Sequence, residues 1–155
     1  MRRLELLRHA KRDPDGDRLS AAGRAQAEDV GRAAASGYDA VFVSPAERAA
    51  ETAAWILRGS GRQLPSHGVV PGLAGKDATG GSVEGMAEGV RALLATVPDG
   101  GLGLAISHTP FVERAMLGLT GHEPAPFAEC EGILVRETDD GRIEAEEIRR
   151  SAAHP

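Results

Sequence analysis

Short apolar runs alternate along the chain with segments in which apolar residues recur every three or four positions. Three of the runs have the length and composition of buried parallel strands. They span residues 4–7, 41–43 and 102–106. The stripes through Gly23, Ala50 and Val83 have the spacing of amphipathic helices. Strands that alternate with helices predict an α/β fold with a mainly parallel sheet and helices on both faces.

Helix-start signals follow several of the predicted strands. Residues 44–47, Ser-Pro-Ala-Glu, combine a serine N-cap, a proline at the first helical position and a glutamate that completes a capping box. Thr109 and Pro110 repeat the cap-then-proline start, and Ser82 is the predicted cap of the stripe at Val83.

The end of the chain differs from the alternating part. Two late strands are predicted at 133–135 and 143–148, joined by a hairpin turn at Asp139-Asp140-Gly141. We expect one domain over residues 1–150 and a frayed tail at 151–155.

Composition excludes several classes of function. The net charge of −5 argues against a general nucleic-acid or anionic membrane surface, and an aromatic content of 3% argues against base stacking. Apolar runs stay far below the roughly 18 residues of a membrane span. The single cysteine, Cys130, excludes an intrachain disulfide and a multi-cysteine zinc site. We expect a cytoplasmic protein with neither nucleic acid nor membrane as partner.

Basic and imidazole side chains follow the predicted strands at one edge of the sheet. Arg8 and His9 come after the first strand, Arg48 lies in the first turn of the helix that follows the strand at 41–43, and His108 follows the strand at 102–106. Because ligands of such sheets lie beyond the carboxyl ends of the strands, we expect these four residues to converge. Guanidinium groups bind phosphate oxygens through paired donors, and a neutral imidazole can attack phosphorus. The pattern predicts phosphoryl transfer through a phosphohistidine.

Four segments resemble, in order, the motifs of the histidine phosphatase (phosphoglycerate mutase-like) superfamily. Residues 7–10 look like its R-H-G/A signature, and residues 19–27 are similar to its L-[ST]-x-x-G-x-x-Q-A segment. Residues 44–53 match S-x-x-x-R-[AC]-x-x-T-A, and residues 107–110 resemble the closing [GS]-H motif. The resemblance spans residues 4–112, and the short chain looks most like the small SixA-type phosphohistidine phosphatases.

The resemblance implies a three-layer α/β/α sandwich and a phosphatase that requires neither a metal nor a cofactor. It implies that His9 is the nucleophile that becomes phosphorylated. Arg8 and Arg48 would then hold the phosphoryl oxygens, and His108 would stabilise charge on the transferring group.

Two departures from the larger family members bear on the substrate. The segment between Arg48 and His108 is short, which favours an open pocket, a phosphatase over a mutase, and a bulky substrate such as a phosphorylated protein. The acidic proton donor of the family has no clear match. Glu84 lies in about the right region, but it also falls in a first helical turn, where acidic residues are ordinary. Other candidates are Asp13, Asp15, Asp17 and Asp77.

A weak proton donor favours phosphohistidine as the substrate. An alkoxide leaving group corresponds to an alcohol with a pKa roughly like that of water, about 15.7. Protonated imidazole has a pKa of about 6.5, so imidazole leaves with less help from a positioned acid. Two alternatives stay open: a phosphatase of small phosphorylated metabolites such as sugar or nucleotide phosphates, and a non-catalytic module that binds phosphoryl groups through Arg8 and Arg48.

Overall fold

The predicted strands and helices are all present in the computed structural model, which describes residues 1–34, 37–62, 67–77 and 80–150. The strands are β1 (Arg3–Arg8), β2 (Ala40–Val43), β3 (Gly68–Val69), β4 (Leu102–Ser107), β5 (Gly132–Glu137) and β6 (Ile143–Ile148). The helices are α1 (Ala21–Ala33), α2 (Glu47–Ser60), α3 (Val83–Thr96), α4 (Phe111–Thr120) and a short 3₁₀ helix (Pro71–Ala74). The frayed tail predicted at 151–155 lies outside the described residues.

The strands form one sheet in the order β3-β2-β4-β1-β5-β6. The first four strands in this order pair in parallel, whereas β5 is antiparallel to both β1 and β6. The register aligns Arg8 with Ser107 and Val43 with Ile106. The carboxyl ends of β1, β2 and β4 therefore meet at one edge of the sheet, as the sequence predicts.

Helices cover both faces of the sheet, which confirms the predicted three-layer sandwich. One core contains Leu7 and Val43 with the apolar faces of α1 and α2, including Val30 and Ile56. The other core contains Leu4 and Leu6 of β1 with the apolar faces of α3 and α4. Because successive strand side chains point to opposite faces, the central strands must be apolar on both sides. All six residues of β4 are buried. Within the described ranges, no helix is long and apolar enough to cross a membrane.

Helices α1 and α2 cross at very close range. A Cβ atom built on Gly31 would lie 1.9 Å from the carbonyl oxygen of Ile56. One built on Gly59 would lie 2.0 Å from the carbonyl oxygen of Glu28. Neither position accepts a side chain without separating the helices.

Two of the three predicted helix caps are wrong. Ser82 does cap α3, since its Oγ accepts a hydrogen bond from the backbone of Gly85 at 3.0 Å. Helix α2 begins only at Glu47, and its N-cap position is Ala46, which has no side-chain acceptor. Helix α4 likewise has Pro110 rather than Thr109 at its N-cap, without a side-chain cap. At α2 the acceptor for the first helical N–H groups is the carboxylate of Asp17, which is far away in the sequence.

Candidate active site

His9 follows directly after the central strand β1 and is held by backbone contacts. Its N–H donates to the carbonyl of Ser107 at 3.0 Å, which continues the β1–β4 ladder by one residue. The ring Nδ1 lies 2.7 Å from the carbonyl oxygen of Ala10. Since a carbonyl oxygen only accepts, Nδ1 carries the proton and Nε2 keeps a lone pair. That unprotonated nitrogen is the atom that a nucleophilic histidine requires.

Arg48 lies between the two histidines. Its Nε donates to Nε2 of His9 at 3.4 Å, and its Nη2 donates to Nδ1 of His108 at 3.3 Å. The ring centroids of His9 and His108 are 5.2 Å apart, with the rings tilted by 59°. Nε and Nη2 share one edge of the planar guanidinium group, the edge that binds two oxygens of a phosphate together.

His108 has a partner at each ring nitrogen. Because Nδ1 accepts from Arg48, the proton of a neutral ring resides on Nε2, which lies 2.6 Å from Oγ of Ser44. Ser44 is only 1% exposed, and its Oγ also accepts from the backbone of Ala46 at 3.3 Å. Ser44 therefore contacts the site instead of capping α2 in the predicted manner.

Burial keeps both imidazoles neutral. Burial lowers the pKa of His108 to about 4, and the charge of Arg48 acts in the same direction. Burial also lowers the pKa of His9, and although the hydrogen bond to Ala10 opposes this, the pKa lies below its ordinary value. Both rings are thus uncharged at neutral pH, the state in which His9 can attack phosphorus.

Arg8 supplies the second guanidinium of the site. Its Nη1 donates to the carbonyl of Phe127 at 2.9 Å, and its Nη2 lies 3.3 Å from the carboxylate of Glu129. Its Nε is buried and has no hydrogen-bond partner within the described part of the chain. A buried donor without a partner is costly, because its hydrogen bond to water is lost without replacement.

Two cavities meet at Arg48. One of about 380 Å³ is rich in cations and is lined by Arg8, His9, Lys11, Arg12, Arg48 and Glu129. The other, of about 420 Å³, is lined on its polar side by Asp17, Arg48, Lys76 and His108. Apolar groups complete its wall, among them the ring of Phe111. The structure therefore brings together the four residues predicted from the sequence, namely Arg8, His9, Arg48 and His108.

The family follows from a comparison with known sequence families. A model of the histidine phosphatase superfamily (branch 1) matches residues 4–93, which is more than half of the chain. The chain belongs to this superfamily. The predicted family is thereby confirmed, and the chain is a histidine phosphatase. No curated protein matches the chain.

Solved structures share the fold of this histidine phosphatase at low identity. The protein histidine phosphatase SixA complexed with tungstate is 23% identical over 95% of this chain and 96% of its own, with a TM-score of 0.72. Phosphoserine phosphatase from Entamoeba histolytica, with 3-phosphoglyceric acid, is 18% identical over 97% and 98%, with a TM-score of 0.72. Phosphoglycerate mutase from Bacillus anthracis is 13% identical over 94% and 92%, with a TM-score of 0.75. These likenesses confirm the phosphoglycerate mutase-like fold.

The candidate proton donors of this histidine phosphatase lie in different places. Glu84 is exposed in the first turn of α3, and it is not among the described residues that line either cavity. The structure therefore does not bring Glu84 together with the four central residues. Asp17 does line the cavity beside His108. Its carboxylate lies 2.8 Å from Nη1 of Arg48.

Asp17 is held as an anion. Burial raises the pKa of its carboxyl group, but hydrogen bonds from the backbone of Glu47 and from Arg48 lower the pKa more, and it lies below its ordinary value. A carboxylate that stays ionised is a poor general acid at neutral pH. Sequence reasoning included Asp17 only as a possible donor and missed its contact with Arg48, for which the sequence carries no local signal.

Proposed function

We propose that this histidine phosphatase hydrolyses its substrate through a phosphohistidine on His9, and that the substrate is phosphohistidine in a protein. The observation that carries the proposal is the orientation of His9. Its Nδ1 is bound to Ala10, so the lone pair of Nε2 faces the guanidinium edge of Arg48. A site that only bound phosphate would not need an unprotonated imidazole nitrogen at this point.

The reaction has two steps. In the first, the lone pair of His9 Nε2 forms a bond to phosphorus, and the bond from phosphorus to the substrate nitrogen breaks. The electron pair of that bond goes to the leaving nitrogen, which takes a proton from solvent. In the second, a water oxygen attacks phosphorus and loses a proton, and the bond to Nε2 breaks and returns its electron pair to His9.

The arginines and His108 stabilise charge during both steps. Arg8 and Arg48 bring fixed positive charge to the phosphoryl oxygens, and Arg48 brings its paired donors Nε and Nη2, with no metal required. A phosphoryl dianion beside His108 adds negative charge, and such a charge raises the pKa of a neighbouring imidazole. We expect His108 to take up a proton at Nδ1 when substrate binds, and so to become a donor to the phosphoryl group.

The acidic groups around the site favour an imidazole as the leaving group. Among the described residues, the carboxylates that line the two cavities are Asp17 and Glu129, and each is paired with an arginine. Asp17, which is held as an anion, is a poor proton donor to an alkoxide. Imidazole, with a conjugate-acid pKa of about 6.5, leaves without a strong positioned acid.

A second candidate is a phosphatase of small anionic metabolites, such as sugar or nucleotide phosphates. Lys76 favours it, because this lysine lines the cavity that contains His108 and Arg48. An ammonium group there could bind a carboxylate or a second phosphate of a small substrate.

A substrate panel at neutral pH without added metal tests the proposal. It contains a phosphohistidine protein, phosphoserine, sugar phosphates, nucleotides and an aryl phosphate. We expect the highest kcat/KM on the phosphohistidine protein. Equal or higher values on the small phosphomonoesters would contradict the substrate assignment.

Two variants test the intermediate. His9→Ala should abolish turnover and the transient labelling of the protein by a radioactive phosphoryl donor. His122→Ala is the matched control, because this exposed histidine does not line the two site cavities. Among the described residues its ion-pair partner is Glu147, at 3.6 Å. Turnover retained by His9→Ala would exclude His9 as the nucleophile.

A further inference from the structure

Asp17 joins the loop after β1 to the start of α2. Its carboxylate accepts hydrogen bonds from the backbone N–H groups of Glu47 at 2.9 Å and Arg48 at 3.1 Å. These are two of the donors that a helix leaves unsatisfied at its N-terminus. Because Ala46 has no acceptor side chain, Asp17 supplies the cap of α2 from 30 residues away.

The same carboxylate binds the side chain that α2 directs into the site. One oxygen of Asp17 accepts from Nη1 of Arg48 at 2.8 Å. The opposite edge of this guanidinium, Nε and Nη2, faces His9 and His108 at 3.4 and 3.3 Å. A guanidinium is planar, so fixing Nη1 and the backbone of the same residue fixes the direction of that edge.

We propose that Asp17 is a positioning residue of the phosphatase: it directs the Nε/Nη2 edge of Arg48 to the phosphoryl group between the two histidines. The proposal rests on the roles of His9 and Arg48 proposed above, and it holds for any phosphorylated substrate.

The contact distances indicate what changes when a phosphoryl group binds. The two contacts of Arg48 with imidazole nitrogens are long for hydrogen bonds, whereas the contact with Asp17 is short. Charge-assisted bonds to phosphoryl oxygens are stronger than bonds to neutral imidazole. The imidazole contacts are therefore replaced by phosphoryl oxygens, while Asp17 keeps Nη1. The negative charge of Asp17 also repels an anionic substrate. If orientation of Arg48 is the larger effect, loss of this charge weakens phosphate binding. If repulsion is the larger effect, loss of the charge strengthens phosphate binding.

Asp17→Asn is the test variant. Asparagine keeps one side-chain oxygen that can accept from the backbone at the start of α2, while the ion pair with Arg48 is lost. The matched control is Glu51→Gln. Glu51 also joins a loop to α2, through the backbone of Leu19 at 2.7 Å and Nε of Arg24 at 2.8 Å, but Arg24 does not line the catalytic cavities.

The readouts are the Kd for inorganic phosphate, kcat and KM for an aryl phosphate, and the thermal unfolding midpoint. We expect Asp17→Asn to weaken phosphate binding and to lower kcat/KM by about tenfold each. Glu51→Gln should change the Kd for phosphate and kcat/KM by less than about twofold each. This should hold even if Glu51→Gln lowers the thermal unfolding midpoint as much as Asp17→Asn does. Asp17→Asn binding phosphate as tightly as the unchanged protein, or more tightly, would overturn the proposal.

An Arg48→Lys background separates positioning from a merely structural effect. Lysine keeps the positive charge but has no planar edge to orient. Adding Asp17→Asn to Arg48→Lys should therefore cause no further loss of phosphate affinity, and it should slightly increase the affinity by removing a negative charge. A full tenfold loss in this background would show that Asp17 does not act through Arg48, and would overturn the proposal.

Discussion

Oγ of Ser44 lies 2.6 Å from Nε2 of His108, so a serine with the sequence context of a helix cap holds the ring of an active-site histidine in its orientation. The consequence is that Nδ1 of His108 faces Arg48. The atom that meets a bound phosphoryl group is therefore determined by a hydroxyl group on the far side of the ring.

Ser44→Ala should impair both catalysis and folding. The variant leaves the buried Nε2–H of His108 without its partner, and an unsatisfied buried donor costs about 1–3 kcal/mol. Since about 1.4 kcal/mol corresponds to a factor of ten in rate, we expect kcat/KM to fall about tenfold.

Ser82→Ala is the control for Ser44→Ala, because Ser82 caps α3 and does not line the site cavities. It should lower the free energy of unfolding by about 1 kcal/mol without changing kcat/KM. Equal kinetics in the two serine variants would show that the contact of Ser44 with His108 has no catalytic effect.

Acid should destabilise the protein through its buried histidines. Burial lowers the pKa of His108 to about 4 in the folded chain, whereas in the unfolded chain it is about 6.5. Between these values the unfolded state binds more protons, so the free energy of unfolding decreases as the pH falls from about 6.5 towards 4. Above this window the contribution is fully present.

Urea unfolding at a series of pH values between neutral pH and 4 measures this effect. The protein should lose up to about 3 kcal/mol through His108 alone. His108→Gln should show a flatter dependence over the same range. Parallel curves for the two proteins would mean that His108 has an ordinary pKa.

Removal of divalent cations should leave turnover unchanged. The positive charge at the phosphoryl site comes from Arg8 and Arg48, which cannot lose their protons near neutral pH. We expect equal kcat/KM before and after exhaustive dialysis against a chelator, and no increase when Mg²⁺ or Zn²⁺ is added. A loss that one divalent cation restores would argue for metal-assisted chemistry.

Two glycine substitutions should change stability in opposite directions. Gly59→Ala places a methyl group against the carbonyl of Glu28, and forced repacking of this kind costs about 1–3 kcal/mol. Gly89→Ala lies in helix α3 with open space around its Cβ position, so it should stabilise the protein by about 0.4–1 kcal/mol. The free energy of unfolding of each variant measures this. A Gly59→Ala variant as stable as the unchanged protein would show that α1 and α2 can separate at little cost.

The sequence predicted the part of the site that the sheet determines. Arg8, His9 and His108 follow apolar strands, and parallel strands end at one edge, so their convergence follows from the strand pattern alone. Arg48 was predicted from its place in the first turn of the helix after the second strand, and the family motif at residues 44–53 contains it as well.

The contacts that orient these residues could not be predicted in the same way. The letters Ser-Pro-Ala-Glu have the same helix-start signal whether Ser44 caps the helix or turns to His108. The outcome depends on Asp17, whose position is determined by the path of the loop after β1. Glu84 also shows this limit, since a glutamate in a first helical turn has the same sequence context near a site or far from it.

The central place of β1 in the sheet has a consequence for fluctuations. The backbone N–H of Arg8 is bonded to Glu131 of one neighbouring segment, and that of His9 to Ser107 of the other. Opening either bond disturbs the middle of the sheet, so amide hydrogen exchange there should be as slow as whole-molecule unfolding. The carboxylate of Asp17 is carried instead by an exposed loop. Local opening of the native state should therefore release Arg48 from its orientation far more often than it displaces His9.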